Sequence, residues 1–80
     1  MGVAIVQVES AVSGVRQITV NGHTVETCAI TLADLLHTLG YEAAKVATAV
    51  NGDFVAQHRR ATVMLAELDR VEIVAAREGG

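Results

Sequence analysis

Residues 16–40 read RQITVNGHTVETCAITLADLLHTLG. Two short β-prone runs, Arg16–Val20 and His23–Thr27, flank Asn21-Gly22. A two-residue hairpin loop of type I′ needs positive φ at both central positions, and Asn-Gly adopts it at least steric cost. Such a loop sets the register, so Ile18 should face Val25 across the hairpin. A helix follows. Thr31 is an N-cap, and Asp34 completes a capping box with Asp in place of Glu. Ile30 and Leu35 occupy the positions of a hydrophobic staple. Leu32, Leu35, Leu36 and Leu39 recur at the spacing of one buried face, which leaves Asp34, His37 and Thr38 on a wet one. Gly40 stops the helix.

The same hairpin device returns downstream. Asn51-Gly52 joins Val46–Val50 to Asp53–Ala56, and Ala49 should face Phe54. Residues 57–69 read as a short helical turn or irregular segment, with Glu67-Leu68-Asp69 as a turn. In Arg70–Ala75, Val71 and Ile73 alternate with Arg70 and Glu72, as in a half-buried strand. The order is hairpin, helix, hairpin, strand, which predicts an α+β domain with a mixed four- or five-stranded sheet on one main helix. Placing the first and last long strands side by side in the sheet centre makes this a ubiquitin-like β-grasp, and that pairing rests on analogy. Val3, Ile5, Val6 and Val8 lie in a segment, 1–15, that precedes this plan and could add an N-terminal strand over an exposed edge.

Composition narrows the function. The chain has 80 residues, six Lys+Arg, nine Asp+Glu, three His, one Cys and no Pro. One domain of this size buries roughly 60–65% of its unfolded surface. That leaves little room for a deep substrate pocket, which usually needs ~300 Å³ or more, so a binding, carrier or accessory role is favoured over a self-contained enzyme. The net charge of −3 offers no basic footprint for nucleic acid. The run from Gly2 to Val8 is too short to span a membrane and lacks the positive flank of a secretion signal. Met1-Gly2 opens like a myristoylation signal, but Val6 stands where Ser or Thr is needed. A lone cysteine fits a reducing, cytoplasmic setting. Cys28 reads as a small buried apolar residue rather than a reactive thiol. His23, His37 and His58 have no metal-ligand spacing and read as surface or strand-end residues. Arg59-Arg60 reads as a solvated turn.

The sequence closes on Ala76-Arg77-Glu78-Gly79-Gly80. A terminal Gly-Gly is either a frayed end or an arm without side chains that can thread a narrow channel and present a reactive carboxylate. Here a family resemblance enters. The run Ala49-Val50-Asn51-Gly52-Asp53-Phe54-Val55, then Leu65, then Asp69-Arg70-Val71-Glu72-Ile73-Val74, then Gly79-Gly80, resembles the ThiS family, the small sulfur carriers of thiamin thiazole synthesis. Ile18–Gly22 and Thr31–Leu39 resemble it too. The likeness covers about residues 16 to 80. It departs where the family usually shows Pro-Arg and this chain has Ala56-Gln57. It departs again near Arg60, where the family often has an aromatic, and at Glu67-Leu68-Asp69, where the family usually has glycine in the middle.

The resemblance implies a division into an N-terminal extension, 1–15, and a carrier domain, 16–80, with a flexible tail, 76–80. It implies a protein co-substrate with no catalytic residue, metal or bound cofactor of its own. An ATP-dependent, ubiquitin-activating-like adenylyltransferase would adenylate the carboxylate of Gly80. A sulfur donor such as a cysteine desulfurase would supply sulfur, and thiazole synthase would receive it from the thiocarboxylate. Gly79, Glu78 and Arg77 would form the tail entering the enzyme. Arg70, Glu72 and Val74, on the outward face of the last strand, would dock to partners. Phe54 either joins that face or fills the core. The alternatives are a sulfur carrier for another pathway, such as the small subunit of molybdopterin synthase, and a β-grasp binding module or protein modifier without sulfur chemistry. The five residues between Gly40 and Val46 favour the thiamin-type carrier, since the molybdopterin family usually has a longer segment there. Lys45, the sole lysine, limits use as a chain-forming tag.

Overall fold

The computed structural model describes residues 14–76. The elements are β1 (Arg16–Val20), β2 (His23–Thr27), α1 (Leu32–Leu39), a 3-10 turn (Ala43–Lys45), β3 (Val46–Val50), β4 (Asp53–Val55), a 3-10 helix (Gln57–Thr62) and β5 (Arg70–Ala75). They form a five-stranded mixed sheet in the order β2-β1-β5-β3-β4. The central pair, β1 and β5, is parallel, and every other neighbour is antiparallel. This is the expected β-grasp. Its five strands arise within residues 16–75, and the strand suggested around Val3 to Val8 lies outside the described residues.

Both hairpins take the expected register, with Ile18 opposite Val25 and Ala49 opposite Phe54. Asn21 and Asn51 sit at φ 52°, and Gly22 and Gly52 at 85° and 89°, the left-handed values that a type I′ loop demands. Thr31 and Asp34 close the capping box in both directions, at 3.1 and 3.3 Å. Leu32, Leu35 and Leu36 are fully buried against Ile18, Val71 and Ile73, which places the core between the helix and one sheet face. Leu39 and Ile30 depart from expectation. They are 38% and 52% exposed, Leu39 at the end of the helix and Ile30 just ahead of its N-cap. Strand β4 ends at Val55, one residue early, because Ala56 caps the 3-10 helix that starts at Gln57.

Two readings of single residues are corrected. Cys28 is exposed rather than buried. Thr27 ends β2 facing inward, with its hydroxyl accepting the Ala29 N–H at 3.0 Å, so strand alternation turns Cys28 outward. Arg60 is buried at 3% exposure rather than solvated. Arg60 is the buried residue of the 3-10 helix, turned toward acceptors on β3 and the 3-10 turn, while Arg59 stays exposed. Its Nε donates to Thr48 Oγ1 at 3.0 Å, and its two terminal nitrogens donate to the carbonyls of Ala43 and Val46 at 2.8 Å each.

Leu68 holds φ 70°, a left-handed conformation that suits glycine. The surrounding bonds over-determine it. Leu68 N–H donates to the Gln17 carbonyl at 2.7 Å, and Asp69 Oδ2 accepts the Ala66 N–H at 2.7 Å. The side chain is 68% exposed, so it gains little from packing. Replacing Leu68 with glycine should therefore raise stability by about 1 kcal/mol, the left-handed penalty less glycine's larger unfolded-state entropy. Urea denaturation reads this as a higher midpoint at unchanged slope.

Candidate partner-docking face

Alternation along β5 divides its side chains cleanly. Val71 and Ile73 face the helix and are buried, while Arg70, Glu72 and Val74 face outward and are exposed. The register aligns this outer row with neighbours on β3 and β4: Val74 pairs with Ala47, Glu72 with Ala49, and Ala49 with Phe54. Phe54 is 72% exposed and Val74 is 58% exposed. Phe54 thus belongs to the face and not to the core. All four residues expected at a partner interface, Phe54, Arg70, Glu72 and Val74, lie on one side of the sheet.

The alanines give this face its shape. Ala47, Ala49, Phe54, Glu72, Val74 and Thr48 line a shallow depression of about 210 Å³. Small side chains form its floor, Phe54 and Val74 its walls, and Glu72 its charged rim. An exposed aromatic beside a small apolar hollow is the kind of surface that anchors a protein partner. Ala47 and Ala49 carry no chemical signal in the sequence, since a methyl group announces no function. The pairing of Ala49 with Phe54 was the one available cue.

The face leads toward the C-terminal segment. Antiparallel pairing of β3 with β5 runs to Val46↔Ala75, and Ala76 N–H donates to the Lys45 carbonyl at 2.8 Å. Arg77, Glu78, Gly79 and Gly80 lie outside the described residues.

A second, larger concavity is open to solvent and is not the deep pocket that the chain length argues against. It is an open groove of about 760 Å³ lined by residues that include Phe54, Val55, His58, Arg59, Met64 and Asp69. It flanks the Asn51 end of the sheet, the opposite end of β5 from Ala76. Among the described residues, no group of three or more His, Cys, Asp or Glu side chains converges to hold a metal ion. No described helix is long and apolar enough to cross a membrane.

The family model of the ThiS family matches residues 14–80. A search of curated proteins finds no match. Among solved structures, the crystal structure of the thiamine biosynthesis protein ThiS from Geobacter metallireducens aligns with a TM-score of 0.70 at 24% identity, covering 80% of this chain and 99% of that one. At that identity the likeness speaks for the fold. The family match spans the whole sheet, the helix and the outer face just described, and on that ground the chain belongs to the ThiS family.

Proposed function

We propose that this protein is a sulfur carrier of thiamin biosynthesis and that its carrying group is the α-carboxylate of Gly80. The family match, which runs through to residue 80, is the observation that carries this reading. A carboxylate is a poor electrophile because its leaving group would be oxide. Attack of a carboxylate oxygen on the α-phosphorus of ATP, within an activating enzyme, releases pyrophosphate and gives an acyl-adenylate. The terminal sulfur of a donor persulfide, such as that of a cysteine desulfurase, then displaces AMP to give an acyl disulfide, and a partner thiol attacks the donor-side sulfur, forming a disulfide with the donor and releasing the thiocarboxylate. That sulfur is the nucleophile handed to thiazole synthase. The chain supplies the terminal group and the surface that docks it; the partners supply ATP binding and the acid–base chemistry.

Intact-mass measurement tests this directly. After incubation with ATP, a sulfur donor and the cognate activating enzyme, the protein should gain the mass of one oxygen exchanged for sulfur. If no activating enzyme of its own cell adenylates or thiolates it, the reading is wrong.

An exposed outer face on β5, the strand that runs on to Ala76, supports the same reading. Phe54→Ala should raise the KM of the carrier for its activating enzyme roughly tenfold, the loss expected for an interface anchor. Stability should change by no more than about 1 kcal/mol, because the ring is already in water and only strand propensity is altered. A KM unchanged by this substitution would place the docking surface elsewhere.

A further inference from the structure

The strand that leads to the tail is supported unequally on its two sides. Along β3 it is paired from Val50↔Val71 to Val46↔Ala75. Along β1 the ladder covers only Thr19↔Arg70 and Val20↔Val71. Its last backbone bond is Asn21 N–H to the Val71 carbonyl at 2.9 Å. There the chain turns at Asn21-Gly22 and leaves β5.

The next residue of β5 facing that side is Ile73. The side chain of Asn21 takes both of its backbone groups. Ile73 N–H donates to Asn21 Oδ1 at 2.8 Å, and Asn21 Nδ2 donates to the Ile73 carbonyl at 3.0 Å. A primary amide presents an acceptor and a donor side by side, as a strand residue presents its C=O and N–H. The side chain is thus one further rung of the sheet, placed where the β1 backbone has ended. Asn51 holds the start of β5 in a similar way. Its Oδ1 accepts the Arg70 N–H at 2.8 Å, and its Nδ2 donates to Asp69 Oδ1 at 2.9 Å.

We propose that Asn21 is a positioning residue for the carrier reaction: its amide pins β5 at Ile73 and so sets the line along which the chain beyond Ala76 enters the activating enzyme. This rests on the carrier reading. The turn itself does not need the amide, since Gly-Gly also serves a type I′ loop. Without the amide, the backbone of β5 from Ile73 onward is hydrogen-bonded by β3 alone, while the Ile73 side chain stays packed in the core. A strand end held on one side frays, and ordering it again on binding weakens productive docking without altering the acyl-transfer chemistry.

Asn21→Gly isolates the effect, because it keeps the backbone conformation and removes the amide. Asn21→Asp is the partner variant, because it keeps an acceptor for the Ile73 N–H and loses the donor. In the free protein, hydrogen exchange at the Ile73 amide should accelerate by roughly 30-fold or more in Asn21→Gly, with Val71 little changed and Asn21→Asp still protected. With the activating enzyme, Asn21→Gly should raise the KM for the carrier roughly five- to tenfold while kcat stays within about twofold. Unchanged exchange at Ile73 would overturn the rung. Faster exchange with unchanged KM would overturn the positioning role. Absence of adenylation in the wild-type protein would instead overturn the carrier reading, and the positioning role with it, while the exchange result still decided the rung.

Discussion

Deletion of Gly80 should abolish thiolation, although the shortened chain still ends in a glycine carboxylate. The reason is reach. One residue of extended chain spans about 3.3–3.6 Å, so the carboxylate of the truncated protein falls that far short of the ATP α-phosphorus. Reacting atoms must lie about 3–3.5 Å apart, and a misplacement of even about 1 Å can lower the rate about 100-fold. The outer face with Phe54 and Val74 is untouched, so the truncated protein should still dock and should compete with the full-length carrier. The expected result is a complete mass shift for the wild type and none for the truncation over the same time. Thiolation of the truncated chain at the wild-type rate would remove Gly80 from the mechanism.

The second large effect belongs to Arg60. Arg60→Ala should lower stability by about 3 kcal/mol, because it deletes three charge-assisted hydrogen bonds and strands buried acceptors. In a domain of this size that is a fall in Tm of roughly 12–24 °C. The bonds reach three places at once: Thr48 in β3, Ala43 in the 3-10 turn and Val46 where β3 begins. Thr48 passes the connection on, since its hydroxyl donates to the Val55 carbonyl at 2.9 Å. The guanidinium therefore ties the 3-10 helix, the 3-10 turn and both strands of the second hairpin together. Among the described residues, the ion pair at 3.3 Å joins Lys45 and Glu42 on the surface, and Arg60 is met by dipoles alone.

A buried charge without a carboxylate carries a large desolvation penalty, so Arg60 is not the most stable choice for this site. Arg60→Lys keeps that penalty while one ammonium cannot match the fork, and it should cost about 2 kcal/mol. Arg60→Tyr refills the volume with an apolar ring and brings one hydroxyl to an acceptor, and it should be the mildest of the three. Urea midpoints at constant slope would rank the variants. An Arg60→Ala protein within about 1 kcal/mol of wild type would show that the fork carries no weight.

Features made within a few residues of one another are legible along the chain. Asn-Gly pins a hairpin through the φ values of two residues, Thr31 and Asp34 close a capping box three positions apart, and alternation in Arg70–Ala75 sorts the strand into two faces. Each depends on local backbone geometry, which near neighbours dictate. The β-grasp order followed from these, with the β1–β5 pairing supplied by analogy. Only the tertiary structure decided what surrounds a side chain. Arg60 and Arg59 look alike in sequence, and the acceptors that bury one of them lie 12 to 17 residues away. Phe54 could have filled the core or the face until the register set it beside Ala49 on the outer side. Leu68 is held left-handed by a bond to Gln17, more than fifty positions earlier in the chain. Asn21 reads as a turn residue, and its amide becomes a rung only because β5 passes it 52 positions later. Local geometry is written in neighbouring residues; burial and long-range hydrogen bonding exist only once distant segments have come together.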